Sequence, residues 1–183
     1  MKILIIGSPG SGKSQFSKEL SLKLNIPAYH LDDFYWFKNW ERPTEKEWRL
    51  SLNALLNQKT WIIDGNYYSS LPLRISKADI VIYFDYLTLL CLFRALKRAL
   101  HRRYFSKESL PLKIREDKEY KSKLKINFKF ILLILTFKAK YKEKIITLLK
   151  NNATRYFFVK ATKDESHIMK AIISENAILN NKI

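Results

Sequence analysis

Hydrophobic and polar residues follow one another along the chain in blocks that predict strands and helices in turn. Short apolar runs occupy residues 2–7, 27–31, 60–65, 79–85 and 154–161, and polar or turn-forming residues bound them. Such runs are typical of buried parallel strands, which are covered on both faces. Longer segments with apolar residues at helical spacing lie between and after them. The pattern predicts an α/β fold, a five-stranded parallel sheet with helices on both faces.

The helical segments complete this outline. They are predicted at 13–24, 44–58, 88–103, about 123–150 and 164–179, and Thr44 and Glu47 are spaced as a capping box at the start of the second. A chain of 183 residues is expected to form a single domain, 1–183. Two excursions, about 33–59 and about 103–125, follow the second and fourth strands. We therefore expect both to rise from the carboxyl end of the sheet, where ligands bind.

Composition excludes several classes of function. No signal peptide is visible and the late apolar run 130–137 is too short to span a membrane, so we expect a cytoplasmic protein. Cys91 is the only cysteine, which rules out an intrachain disulfide and a cysteine-based metal site. Its apolar surroundings favour a packing role.

The net charge of +17 is unevenly distributed. Residues 86–150 carry eighteen Lys or Arg against five Asp or Glu, a balance of +13. A field of this sign attracts a phosphate-rich substrate or nucleic acid, and a lysine-rich solvated helix surface explains it equally well. Charge alone leaves these alternatives open.

The stretch GSPGSGKS, residues 7–14, fits the Walker A pattern of a phosphate-binding P-loop. A predicted strand precedes it, a predicted helix follows it, and three of the four glycines in the chain belong to it. Its N–H groups and the positive end of the helix are expected to face an anion, with Lys13 neutralising the β- and γ-phosphates of ATP. The predicted nucleotide-binding residues are Gly7, Ser8, Pro9, Gly10, Ser11, Gly12, Lys13, Ser14 and Gln15.

A magnesium ion is expected beside the phosphates. The Ser14 hydroxyl is its predicted ligand from the loop. Asp64 ends one predicted strand and Asp85 ends another, and both are candidates for the acidic residue on the metal side, although an Asp at a strand end is also a common cap or turn residue.

The stretch HLDDFYWFKNW, residues 30–40, places two carboxylates at the end of the second strand, followed by four aromatic residues. A carboxylate there, Asp32 rather than Asp33, is placed to accept the proton of a hydroxyl that attacks the γ-phosphate. Aromatic residues such as Tyr35 and Trp36 would exclude water, which a phosphoryl-transfer enzyme needs in order not to hydrolyse its nucleotide. They equally suit simple packing of the first excursion.

These motifs resemble the adenylate-kinase-like group of P-loop kinases, which implies the strand order 2-3-1-4-5. WIIDG (61–65) is similar to that group's Asp-Gly signature, although Asn-Tyr-Tyr follows here in place of Pro-Arg. The spacing of Asp85, Arg94 and Arg98 resembles the group's fourth-strand Asp and R-x-x-x-R helix, whose arginines contact the nucleotide. Arg102 and Arg103 would then begin a lid. DDFY (32–35) resembles the D-x-F-Y of uridine-kinase-like enzymes, whose catalytic base falls on Asp32.

A narrower resemblance covers about residues 1–150. GSPGSGKS, YHLD, WIIDGNY, LR...AD and LCLFRALKR together resemble the bacterial DNA topology modulation (FlaR-like) family. The family's name implies an effect on DNA topology, whereas its motifs imply a kinase. On this basis the predicted catalytic residues are Lys13, Asp32, Arg94 and Arg98, and the predicted acceptor-binding residues are Asp32, Asp33, Tyr35, Trp36, Asp64, Asn66, Tyr67 and Arg74.

The sequence thus predicts an ATP- and Mg²⁺-dependent kinase that acts on a small hydroxyl or phosphate acceptor, a nucleoside, nucleotide or related metabolite. The alternative is an ATP-gated DNA-binding protein that modulates DNA topology through its basic surface. The identity of the acceptor and the oligomeric state are left open at this stage.

Overall fold

The structure, a computed structural model, describes residues 1–104, 110–116, 128–152 and 155–180, without the side chains of 102–104 and 179–180. Its strands are β1 (Lys2–Gly7), β2 (Ala28–His30), β3 (Trp61–Asp64), β4 (Ile80–Phe84) and β5 (Arg155–Val159). Its helices are α1 (Lys13–Leu24), α2 (Leu31–Tyr35), α3 (Glu45–Leu56), α4 (Leu71–Lys77), α5 (Thr88–Tyr104), α6 (Leu112–Arg115), α7 (Phe128–Asn151) and α8 (Thr162–Asn180).

The five strands form one parallel sheet in the order β2-β3-β1-β4-β5, which confirms the predicted fold class and strand order. The central strand, β1, pairs with β3 on one side and β4 on the other. The chain order reverses at this point of the sheet, and ligands of open α/β sheets bind beyond the carboxyl ends of such strands. The residues that follow β1, β3 and β4 are therefore brought to one edge.

Successive side chains of β1 point to opposite faces of the sheet, so an uninterrupted apolar strand feeds two cores. Ile3 and Ile5 pack with residues of α1, α5 and α8. Leu4 and Ile6 pack with residues of α3, α4 and α7. This two-sided burial explains why the strands read as continuous apolar runs instead of alternating ones.

The elements differ from the predicted ones in a few places. Three short helices were not predicted: α2, α4 and α6. Because α2 begins at Leu31, the second strand is shorter than expected and Asp32 and Asp33 lie in a helical turn. The capping box is confirmed, with the Glu47 N–H donating to the Thr44 hydroxyl and the Thr44 N–H to the Glu47 carboxylate. The first residues of the predicted 123–150 helix fall outside the described part.

No helix in the described ranges combines the length and the apolar content that crossing a membrane requires.

Candidate active site

The P-loop connects β1 to α1, and its glycines serve two separate purposes. A Cβ at Gly10 would lie 2.3 Å from the carbonyl oxygen of Cys91, so this glycine lets the loop pack directly on α5. A Cβ at Gly12 would meet only an ordinary contact, Nη1 of Arg94 at 3.8 Å, but φ is +102°, a value that side-chain-bearing residues rarely adopt. Gly12 is also the N-cap of α1, and no side chain caps that helix end. The first N–H groups of α1 have no partners within the helix and remain for an anion.

Lys13 is folded back onto the loop that carries it. Its Nζ donates to the Ser8 carbonyl oxygen at 2.8 Å and lies 3.5 Å from the Ser11 hydroxyl. Burial lowers the pKa of Lys13 to about 8, although the charges of Asp64 and Asp32 act in the opposite direction. The charge of a buried ammonium group is then only partly compensated, and a phosphate group that approached it would stabilise its protonated form.

Helix α5 brings two guanidinium groups toward the same loop. Arg94 donates from Nη1 to the Ser11 carbonyl oxygen at 3.1 Å, and its guanidinium carbon lies 4.6 Å from the centre of the Tyr86 ring. Arg98 stands one helical turn further on, and its charge contributes to the lowered pKa of Lys13. The predicted lid residues Arg102 and Arg103 end the same helix, but their side chains lie outside the described part.

On the metal side, Asp64 is buried at the end of β3, and its Oδ2 lies 2.8 Å from Nδ1 of His30. The two residues are register partners on adjacent strands. The hydrogen bond to Asp64 raises the pKa of His30, against the effect of burial. The other candidate, Asp85, instead pairs with Lys138 and Lys142 of α7, at 2.8 and 2.9 Å. Asp85 therefore connects the end of β4 to α7. Of the two candidates, Asp64 is the one without a lysine ion pair among the described residues.

The donor set suits magnesium. Ser14 and Asp64 supply hard oxygen ligands, the type that Mg²⁺ prefers. Within the described ranges, no group of three or more His, Cys, Asp or Glu is placed to hold a metal on its own.

Asp32 faces the loop side of the cleft and is held by a tyrosine. Its Oδ1 accepts a hydrogen bond from the Tyr67 hydroxyl at 2.7 Å, while the carboxylate stays exposed to solvent. Burial, together with the Asp32 charge, raises the pKa of Tyr67, so this hydroxyl remains a donor at all physiological pH values. The Tyr67 ring is 4.4 Å from that of Tyr35 and 5.0 Å from that of Trp48, centre to centre.

Asp33 is used differently from its neighbour. Its Oδ1 accepts the N–H of Leu112, the first residue of α6, at 2.8 Å. Burial raises the pKa of Asp33, and the Leu112 hydrogen bond acts against this. Asp33 thus connects the first excursion to the second, and of the two adjacent carboxylates Asp32 is the one left open to the cleft.

Arg74 lies behind the site and is fully buried. Its guanidinium donates to the carbonyl oxygens of Gly65, Asn66 and Tyr67, and its Nε donates to the Ser70 hydroxyl. These bonds hold the 65–67 turn, in which Tyr67 has a positive φ of 26°. Asn66 ties the same turn to the P-loop, because its Oδ1 accepts the Gly7 N–H at 3.2 Å. Arg74 therefore holds from within the fold the 65–67 turn, which carries two of the predicted acceptor-binding residues.

Sequence reasoning missed two residues that shape this site. The sequence motifs do not single out His30, yet it is the partner of Asp64. The signal available is the position of a histidine at the end of a strand adjacent to the one that ends in Asp64. The motifs do not single out Trp48 either, and its buried ring packs against Tyr35 and Tyr67. No sequence signal indicates these contacts.

The sheet order, the glycine-rich loop after β1 and the helix that follows it define a P-loop nucleotide-binding fold of the kinase type. No protein-family model matches the chain, and no curated protein matches it. The narrower resemblance to the FlaR-like family accordingly stays a prediction.

Similar solved structures cover nearly all of this chain. An uncharacterized protein from Eubacterium ventriosum ATCC 27560 is 15% identical with a TM-score of 0.53, over 97% of this chain and 98% of that one. Deoxyadenosine kinase from M. mycoides is 17% identical with a TM-score of 0.47, over the full length of both chains. A gluconokinase from Sinorhizobium meliloti 1021 is 13% identical with a TM-score of 0.49, over 99% of this chain and 94% of that one. The TM-score of 0.53 with the Eubacterium ventriosum protein indicates a common fold, and an identity of 15% transfers no substrate.

Proposed function

We propose that this protein is an ATP- and Mg²⁺-dependent kinase that phosphorylates a hydroxyl group of a small acceptor. The observation that carries the proposal is the presence of two groups at one edge of the sheet. Lys13, on the P-loop, is near enough to Asp32 for the carboxylate to act on its pKa, and Asp32 is exposed and oriented by Tyr67. A phosphate-binding cation and a positioned carboxylate are the two requirements for transfer to a hydroxyl.

In this mechanism the loop N–H groups and Lys13 bind the phosphates of ATP. The acceptor hydroxyl donates its proton to Asp32 as its oxygen attacks the γ-phosphorus, and ADP departs as the bond to the β–γ bridging oxygen breaks. The hydrogen bond from Tyr67 fixes the direction of the Asp32 carboxylate and leaves its second oxygen for the acceptor. The second oxygen of the Asp32 carboxylate therefore receives the proton of the acceptor hydroxyl.

Charge stabilisation comes from α5 and the loop. Lys13, Arg94 and Arg98 place three positive charges around the phosphate site, and preorganised charges of this kind stabilise the negative charge that develops on the transferred group. Magnesium, held with Ser14 and Asp64, would add Lewis-acid polarisation of the phosphate oxygens.

The two excursions support transfer over hydrolysis. Helix α6 of the second excursion contacts the first one through the bond between Leu112 and Asp33, and the side chain of Ile114 is fully buried there. Tyr35, Trp36 and Trp48 form an aromatic wall on the acceptor side. A cleft enclosed in this way limits the access of water to the γ-phosphate.

The test is a phosphotransfer assay with the purified chain, [γ-³²P]ATP and Mg²⁺, against a panel of nucleosides, nucleotides and hydroxyl metabolites. We expect labelled product with at least one acceptor. Lys13→Ala should abolish it, and Asp32→Asn should lower kcat by about 10²- to 10⁴-fold while leaving the affinity for ATP nearly unchanged. Lys23→Ala, an exposed substitution at the far end of α1, serves as the control. Absence of transfer to every acceptor in a broad panel would overturn the proposal.

A further inference from the structure

A cavity of about 190 Å³ lies between the turn after β3 and helix α7. Ile6 of the central strand contributes to its wall, and Tyr68 and Leu71 line it beside the turn. Phe137 and Tyr141 of α7 line it on the other side. The predicted nucleotide site does not include this space, so the cavity is an additional feature of the carboxyl edge of the sheet.

The described lining consists of four aromatic residues, four aliphatic residues and Asn66. The ring centres of Tyr68 and Tyr141 are 5.1 Å apart, and those of Phe137 and Tyr141 are 5.3 Å apart. Among the residues that the structure describes, no Lys, Arg, Asp or Glu lines the cavity. In a protein with a net charge of +17, a pocket without a cation is not suited to a phosphate or carboxylate group. Aromatic walls favour a flat ring that can pack on their faces or edges.

Two residues of the lining also belong to the candidate active site. Asn66 lines the cavity, and its side chain accepts the N–H of Gly7 at the start of the P-loop. Tyr67 lines the cavity too, and its hydroxyl binds Asp32. A group bound in the cavity is therefore adjacent both to the phosphate loop and to the proposed base.

The size of the cavity limits what enters it. Pockets that enclose a whole drug-sized ligand have volumes of about 300–1,000 Å³. At about 190 Å³ this cavity holds only part of such a molecule, one ring or two fused rings. The rest of the ligand would remain at the mouth, where Asn66 and Tyr67 stand.

We propose that this cavity binds the flat, uncharged aromatic ring of the acceptor, so that the acceptor is a nucleoside-like compound. The ring packs among Tyr68, Phe137 and Tyr141, and a sugar-like portion presents its hydroxyl to Asp32. This inference rests on the proposed kinase function, because it names the acceptor class of that site. Sugar acids and other acceptors without an aromatic ring would not pack against these aromatic side chains.

The experiment blocks the cavity from its rim. Leu133 lines the cavity and is 38% exposed, so Leu133→Trp fills the opening without disturbing the core. Leu135→Trp is the matched control, since Leu135 is 45% exposed on the same helix and does not line the cavity. Equal melting temperatures of the two variants verify that both are folded. Binding of adenosine, cytidine, thymidine and gluconate is measured by calorimetry on the full chain with a non-hydrolysable ATP analogue.

We expect at least one nucleoside to bind and gluconate not to bind. Leu133→Trp should raise the nucleoside Kd by about tenfold or more, the effect of losing an aromatic contact site, with the Kd of the ATP analogue unchanged. Leu135→Trp should leave both constants as in the wild type. Nucleoside binding that Leu133→Trp does not weaken, binding of gluconate alone, or no binding of any of the four would overturn the inference.

The readouts separate this inference from the proposed function. Nucleoside binding that depends on Leu133, without phosphate transfer in the assay above, supports the cavity and contradicts the kinase. Phosphate transfer to an acceptor without a ring, undisturbed by Leu133→Trp, supports the kinase and contradicts the cavity.

Discussion

Lys13 occupies a position in which its own charge is unfavourable. The side chain is buried, and the compensation it receives from the Ser8 carbonyl oxygen and from neighbouring carboxylates does not restore the pKa to its ordinary value of 10.5. The amine is still protonated at neutral pH, because its pKa is about 8. A buried ammonium charge that is only partly compensated lowers the stability of the nucleotide-free protein.

We therefore predict that Lys13→Met stabilises the nucleotide-free protein at pH 7 by about 1–3 kcal/mol. The buried charge of Lys13 lowers the free energy of unfolding of the wild type. Because the folded-state pKa is lowered, this loss of stability is fully present below about pH 8 and decreases as the pH rises toward 10.5. Urea unfolding at pH 7 and at pH 10 measures this difference. The same substitution should remove the increase in melting temperature that ATP gives the wild type. A variant less stable than the wild type at pH 7 would contradict the prediction.

Arg74 is a second buried cation, and burial lowers its pKa to about 9, but its hydrogen-bond donors are used by the fold. Arg74→Met leaves the carbonyl oxygens of Gly65, Asn66 and Tyr67 without this partner, and we expect a loss of about 3 kcal/mol in the free energy of unfolding. Tyr67 should also lose its position, which raises the KM of the acceptor. Arg49→Met is the control: its ion pair with Glu45 is exposed, so a change of under about 0.5 kcal/mol is expected. Equal losses in the two variants would argue against a positioning role.

At the level of elements, the site depends on contacts between segments that are far apart in the sequence. Helix α6 has only four residues, too few to be stable alone. Its Leu112 N–H is bound by Asp33, Ile114 is buried, and the Lys113 ammonium lies 3.4 Å from the centre of the Phe37 ring. The first excursion therefore holds α6 in place, and the two excursions are in contact.

Helix α7 is attached to the end of β4 by the pairing of Asp85 with Lys138 and Lys142. Burial raises the pKa of Asp85, but the hydrogen bonds from the two lysines outweigh it and hold the pKa below the ordinary value of 3.8. Stabilisation by this carboxylate is then present above that value and is lost as the pH falls through the folded-state pKa.

We predict that Asp85→Asn lowers the free energy of unfolding by about 2 kcal/mol at pH 7, a reduced figure because Lys142 keeps contact with solvent. The difference from the wild type should shrink below about pH 4. Denaturant titrations at pH 7 and pH 3 measure it. Glu175→Gln, which weakens the partly exposed pair with Arg155, is the control and should cost less than about 1 kcal/mol. A difference independent of pH would show that charge is not the cause.

On the scale of the whole molecule, some of the excess positive charge has partners within the described part of the fold. Part of it serves internal purposes, since Lys138 and Lys142 pair with Asp85, Lys13 binds its own loop, and Arg94 binds the P-loop backbone. The remainder is typical of a lysine-rich surface. Attraction of this kind is sequence-independent and weakens steeply with salt.

Binding of duplex DNA to the full chain should accordingly be weak, fall steeply between 50 and 200 mM salt, and be the same with and without an ATP analogue. Fluorescence anisotropy of labelled DNA across a salt series measures this. An affinity that changes by more than about tenfold on addition of the nucleotide, a coupling of more than 1 kcal/mol, would favour the ATP-gated alternative.

Much of the fold could be predicted because its determinants are local in sequence. Five apolar runs specified the strands, and the Thr44–Glu47 pair specified the start of α3. The short helices α2, α4 and α6 could not be predicted, because segments of four to seven residues carry too little periodicity and are stabilised by their neighbours. The hydrogen-bond partners of Asp33 and Arg74 could likewise not be predicted from the sequence, because tertiary packing determines them.

The sequence by itself determined the class of the protein and the chemistry available to it. The spacing of Gly7, Gly10, Gly12 and Lys13 suffices for a P-loop, because a loop that binds phosphate through its backbone is built from consecutive residues. The tertiary structure decided between residues of the same chemical type. It oriented Asp32 with Tyr67, gave Asp33 to α6, left Asp64 with His30, and closed an aromatic cavity from the turn after β3 and helix α7. The three hydrogen-bonded pairs join residues 34, 35 and 79 positions apart, and only the folded chain brings them within hydrogen-bonding distance.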